Sequence, residues 1–245
     1  FMRTPFRFLL GLRSIFESIE FDNSENTKVI VLELATAKIV REYELDCFFG
    51  FHLGNACENG DELSVDALCV DTMDIMGGLS DVFMERGDDF QFLANGSRFN
   101  RFTLNLATGD VRKTLIEGAV AGEFPAWNPR CTGRENRYTW LATIVENGTP
   151  YSFNAFQKVD HQTGELKIHD FGEGRFTSEP NFTPIGENAA EDEGYLVSIV
   201  YNHAREKSEV VIVDAKNMQH ELAVIPLEHH VPFGFHGCFY DETFV

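Results

Sequence analysis

The chain has 245 residues, enough to bury a sizeable core, and carries 39 Asp plus Glu against 20 Lys plus Arg for a formal net charge of −19. Such a charge repels phosphate backbones, so nucleic acid is excluded as an expected partner. Its five cysteines, Cys47, Cys57, Cys69, Cys131 and Cys238, are odd in number and form no CxxC, which argues against a disulfide framework or a zinc site and for reduced thiols.

Residues 5–20 place Phe8, Leu9, Leu12, Ile15, Phe16 and Ile19 at helical spacing, with Arg3, Arg7 and Arg13 nearby. That pattern predicts an amphipathic helix, resting on a membrane surface or buried against the protein. Arg13 interrupts the apolar stretch and no small-residue cleavage site follows, so it does not read as a secretory signal. No 18-residue apolar run exists that could span a bilayer.

Most of the remaining chain reads as short strands with turn signals. KVIVLEL meets Ala35-Thr36-Ala37 and IVREYEL follows; RFTLNL meets Ala107-Thr108-Gly109-Asp110 and VRKTLI follows. YSFNAFQKVD meets His161-Gln162-Thr163-Gly164 before ELKIHDF, and EVVIVD meets Ala215-Lys216-Asn217 before HELAVIPL. These are four copies of strand, tight turn, strand, at a loose period of about 50 residues, which suits a β-propeller better than a solenoid. Residues 72–98 fit the repeat poorly and read as an insertion with helical and loop character.

One polar residue follows each turn at a comparable distance. His52 follows Thr36 by 16 residues, Glu123 follows Gly109 by 14, Glu179 follows Gly164 by 15 and His236 follows Asn217 by 19. Each stands in an apolar or small setting. Equivalent positions on the inner strands of propeller blades face one axis, so two imidazoles and two carboxylates are expected to converge. That is the composition of a metal site whose ligands are oriented by carboxylates.

Four patches in order resemble the C-terminal half of the carotenoid cleavage oxygenase family, which includes carotenoid and stilbene dioxygenases and the retinoid isomerase. They are FHLGNACE followed by GDELSVDAL from Phe51, GEFPAWNPRCTGRENRY from Gly122, SEPNFTPIGENAAEDEGYLV from Ser178, and VPFGFHG from Val231. The resemblance implies an all-β fold, a partial seven-bladed β-propeller with short helical insertions, over residues 1–245. It also implies that His52 and His236 are iron(II) ligands, with Glu123 orienting His52 and Glu179 orienting His236. The family's first two His ligands lie upstream of the matched region, so the chain reads as a fragment whose activity requires a preceding part.

The implied activity is a non-haem iron dioxygenase that uses O2 to cleave a C=C bond of a carotenoid, apocarotenoid or stilbene-like substrate into carbonyl products. The alternatives are a retinoid-type isomerase of the same fold and a degenerate propeller without activity. The family also implies membrane contact through residues 5–20 and a lipophilic substrate in a Phe-rich tunnel. Phe51, Phe124, Trp127, Phe182, Phe233 and Phe235 are core or tunnel wall, and Asn55 and Glu58 order a loop. A cytoplasmic or plastid location is expected, peripheral to a membrane and not secreted.

Overall fold

The computed structural model describes residues 5–13, 18, 22, 24–70, 96–145, 152–232 and 234–239. Strands β1 (Thr27–Leu32) and β2 (Ile39–Leu45) pair with each other. Strands β3 (Leu53–Asn59), β4 (Glu62–Cys69), β5 (Arg98–Asn105) and β6 (Val111–Leu115) form an antiparallel sheet in chain order. A second such sheet contains β7 (Gly122–Ala126), β8 (Tyr138–Thr143), β9 (Ala155–Asp160) and β10 (Leu166–Asp170). In the third, β11 (Arg175–Thr177) and β12 (Asn181–Pro184) both pair along β13 (Gly194–Asn202), followed by β14 (Lys207–Asp214) and β15 (Glu221–Pro226).

Each of the three larger sheets is a blade of a β-propeller, the first being β3–β6, the second β7–β10 and the third β11–β15. The first strands β3 and β7 approach each other, and Cys57 of β3 makes a parallel bridge to Gly133 in the loop after β7; in a propeller these innermost strands line the centre. All four strand–turn–strand copies are hairpins, β1–β2, β5–β6, β9–β10 and β14–β15. They share one turn: the amides of Ala37, Gly109, Gly164 and Met218 donate to the carbonyls of Glu33, Asn105, Asp160 and Asp214, four residues back. The donor residue is left-handed in every copy, at φ between 53° and 89°. In three copies the first residue, Asn105, Asp160 or Asp214, also accepts two turn amides with its side chain.

The cores lie between blades. Leu68 and Phe99 of the first blade meet Leu141 and Val159 of the second. Trp140, Ala142 and Phe156, pointing the other way, meet Leu196, Val200, Val211 and Val213 of the third. The Trp140 ring stacks on Phe182 at 4.5 Å and its indole N–H donates to the Ala215 carbonyl. Strand β9 is buried at every position because a blade covers each of its faces.

Of the helix expected over residues 5–20, the described residues show α1 (Pro5–Leu9) and a helical Ser18. Helix α1 stops because Gly11, at φ 67°, closes it: the Leu12 amide donates to Arg7 and the Gly11 amide to Phe8, a left-handed C-terminal cap. Residues 14–17 and 19–20 of that segment lie outside the described residues. So do residues 71–95, most of the stretch read as an insertion, whose last residue, Arg98, already belongs to β5.

His161 opens a hairpin turn, yet its side chain is only 4% exposed between the first and second blades. It meets Thr139 Oγ1 at 2.9 Å and lies 4.0 Å from Asp66, which is held bidentately by Arg101. Burial lowers its pKa to about 4, with Arg101 acting the same way and Asp66 and Asp160 opposing. The folded state therefore holds His161 neutral where the unfolded chain, near pKa 6.5, takes up a proton. The resulting stability is present above about pH 6.5 and lost as pH falls towards 4, by up to about 3 kcal/mol. Unfolding free energies of wild type and His161→Gln should diverge across that window, with the wild type falling more steeply. Parallel pH curves would refute the assignment.

Candidate metal centre

The central strands share an irregularity. In β3, Leu53 faces Ala67 and Ala56 faces Val65, so Gly54 and Asn55 together oppose Asp66 alone. In β7, Glu123 faces Ala142 and Ala126 faces Trp140, so Phe124 and Pro125 together oppose Leu141. Along β13, Thr177 faces Val200 and Asn181 faces Val197, so residues 178–180 oppose Ser198 and Ile199. Every central strand thus gains one residue at the same level. Such bulges re-aim side chains, and Pro125 is tolerated there because a bulge frees it from the ladder.

His52, Glu123 and Glu179 sit at these irregularities, and His236 follows the third blade. The structure brings all four together in two pairs. His52 Nδ1 lies 2.7 Å from Glu123 Oε2, and His236 Nδ1 lies 3.2 Å from Glu179 Oε1. The imidazole centres are 5.2 Å apart, with the rings inclined at 76°. Each carboxylate has a second donor: the Ser97 hydroxyl donates to Glu123 Oε1 and the Gly237 amide to Glu179 Oε2 at 2.8 Å. Accepting from Nδ1–H, the carboxylates leave Nε2 of each imidazole with its lone pair free.

The two pairs differ in setting. Glu123 is 3% exposed and His52 17%, whereas Glu179 is 20% exposed and His236 59%. Burial pushes the Glu123 carboxyl upward, opposed by its hydrogen bond and attraction to His52. Glu179 and His236 lie on the wall of a cleft of about 320 Å³ shared with Phe176, Ile199, Tyr201 and Phe235.

The aromatic residues divide. Phe182 is core, while Phe51 and Phe235 are exposed beside the imidazoles. The ring of Phe124 lies 4.6 Å from that of His52 and 5.7 Å from that of His236, and packs edge-on to Phe153. Phe124 has φ 58°, a left-handed conformation that costs a non-glycine residue about 1–3 kcal/mol and is typical of functional sites. Phe233 lies outside the described residues. Asn55 orders the β7–β8 loop: its amide donates to the carbonyls of Cys131 and Arg134 and to Asn136, and its oxygen accepts from the Gly133 amide. Glu58 is exposed. Sequence reasoning missed Ser97, which has no local signature: its role comes from a contact made 26 residues along the chain. Among the described residues, no group of three or more His, Cys, Asp or Glu is arranged to hold a metal.

Comparison with known proteins identifies the family. A family model described as retinal pigment epithelial membrane protein (RPE65) matches residues 1–241. Apocarotenoid-15,15'-oxygenase of Synechocystis sp. is 29% identical over 231 residues, 94% of this chain and 46% of the relative. Carotenoid 9,10(9',10')-cleavage dioxygenase 1 of Arabidopsis thaliana is 32% identical over 215 residues, 83% of this chain and 38% of the relative. Among solved structures, a chimera of the Synechocystis apocarotenoid oxygenase and RPE65 superposes with a TM-score of 0.84 at 25% identity, covering 98% of this chain and 49% of that one. The cobalt-substituted Synechocystis oxygenase gives 0.82 at 26% identity, covering 96% and 48%. This chain spans about half the length of these relatives, or less. A chain of antiparallel propeller blades, with these motifs in this order and a family match over nearly its whole length, belongs to the RPE65 family of carotenoid cleavage oxygenases.

Proposed function

We propose that this chain supplies His52 and His236 as two ligands of a non-haem iron(II) centre, in a dioxygenase that cleaves a C=C bond of a carotenoid, apocarotenoid or related conjugated substrate. The observation that carries the reading is the convergence of two imidazoles, each held through Nδ1 by its own carboxylate, with ring centres 5.2 Å apart. An imidazole bonded through Nε2 at about 2.1 Å carries its ring centre about 3.2 Å from the ion, so two ligands at 90–110° have centres roughly 4.5–5.2 Å apart. The spacing and the donor nitrogens fit two positions of such a centre.

When bound, iron(II) would supply the activation of O2 that an alkene cleavage needs. This chain's residues do the rest of what can be read here. Glu123 and Glu179 hold the tautomer and direction of the imidazoles. Phe51, Phe124 and Phe235 give the surroundings an apolar character suited to a conjugated hydrocarbon. The names of the curated relatives favour cleavage over the isomerase reading. Access of a lipophilic substrate from a bilayer surface is supported by α1 and the turn after it, where Phe6, Leu9, Leu10 and Leu12 are 70–79% exposed beside Arg7 and Arg13. None of the described helices is long and apolar enough to cross a membrane.

The test uses the full-length protein. It should purify with about one iron per chain and convert an apocarotenoid under labelled O2 into two carbonyl products, with label in the products. A folded full-length protein that takes up no iron would overturn the reading.

A further inference from the structure

We infer that Phe124 is a positioning residue that sets the angle between the two imidazoles, an inference that rests on their reading as metal ligands. Successive side chains of a regular strand point to opposite faces, so Glu123 and Phe124 should not reach the same group. Both do: Glu123 Oε2 is 2.7 Å from His52 Nδ1, and the Phe124 ring centre is 4.6 Å from that of His52. The extra residue of the β7 bulge and the left-handed backbone at Phe124 turn both side chains towards one imidazole.

The contact has a definite use. A hydrogen bond at Nδ1 fixes one atom of each ring but lets the ring pivot about that bond, which would swing Nε2 away. A further contact is needed to stop the pivot. Phe124 touches both imidazoles, at 4.6 and 5.7 Å, and the three ring centres form a closed triangle whose third side is 5.2 Å. Phe153 backs the wedge from behind at 5.8 Å. Three aromatic rings in mutual contact resist rotation more than any two, so the wedge fixes how far apart the two Nε2 directions open.

The experiment loads the full-length protein with Co(II) and reads its visible d–d absorption, which reports ligand geometry, together with the Co(II) dissociation constant. Phe124→Leu keeps an apolar side chain of similar bulk without the ring, and Phe124→Tyr keeps the ring. Phe124→Leu should shift the Co(II) bands and weaken Co(II) about tenfold, in the range found for residues that orient metal ligands. Phe124→Tyr should leave both near the parent. If Phe124→Leu fails to fold, Phe124→Met takes its place with the same expectation. A folded Leu or Met variant with the parental spectrum and dissociation constant overturns the inference alone. Full Co(II) binding by His52→Ala overturns the ligand reading beneath it.

Discussion

If His52 is the iron ligand proposed above, full-length protein carrying His52→Ala should bind no iron and show no alkene cleavage. The effects of the other three residues should then fall in a set order. His236→Ala removes a nitrogen donor as well and should match His52→Ala in iron content. Glu123→Gln and Glu179→Gln remove no donor; they weaken the hold on one, for which roughly 10–100-fold in metal affinity is expected. Of these, Glu123→Gln should cost more. Its bond to imidazole is 2.7 Å against 3.2 Å for Glu179, and its side chain is 3% exposed against 20%, so water is less able to take over the lost interaction. Iron per chain by plasma mass spectrometry, with dissociation constants from chelator competition, gives the whole series. Unchanged iron in His52→Ala, or a Glu179 effect well above that of Glu123, would contradict the geometry.

The parts of this molecule governed by short-range chemistry were legible in the sequence. Asn105, Asp160 and Asp214 each begin a turn that their own side chains close, and Gly109 and Gly164 take the left-handed position, so these hairpins announce themselves. At Ala37 and Met218 the same left-handed position carries no glycine, so its positive φ is not legible even where the turn is. His52, Glu123 and Glu179 stood out because the hairpins before them are followed by a crossing to the next central strand, and His236 because it follows the last hairpin at a comparable distance. What stayed hidden depends on neighbouring blades. The bulges of β3 and β7 show only once the register against β4 and β8 is known. Phe124 looked like wall or core because its contact with two imidazoles depends on that bulge. Ser97 looked like part of an insertion, since its partner is Glu123 in another blade. The cap at Gly11 that closes α1 was likewise not legible, because apolar spacing continues past it.

Lys158 is the sharpest case of burial that no local pattern predicts, and it leads to the largest expected change in stability. It is the third residue from the C-terminal end of β9. In the fold its side chain is 4% exposed, because β9 is covered on both faces. The ammonium donates to Asp192 Oδ2 at 2.6 Å and to the Lys216 carbonyl at 3.1 Å, and lies 4.2 Å from the centre of the Tyr138 ring. Asp192 and Lys216 belong to the third blade's loops, so the ammonium ties the second blade to the third. Burial lowers the Lys158 pKa and Asp192 restores part of it. Asp192→Ala leaves a buried cation with only a carbonyl and a ring face, a change expected to cost about 3–5 kcal/mol. Lys158→Met in the same chain removes the stranded charge and should recover much of that loss, so the double variant should be more stable than Asp192→Ala alone. The pH dependence has a definite sign. Without Asp192 the folded-state pKa of Lys158 falls further, because burial is no longer opposed by the carboxylate, while the unfolded chain keeps it near about 10.4, so the deficit should narrow as pH rises towards that value. Denaturant unfolding of the full-length variants at pH 7 and pH 9.5 measures both effects; an Asp192→Ala loss below about 1 kcal/mol, typical of an exposed pair, would show that the blades are not joined through this charge.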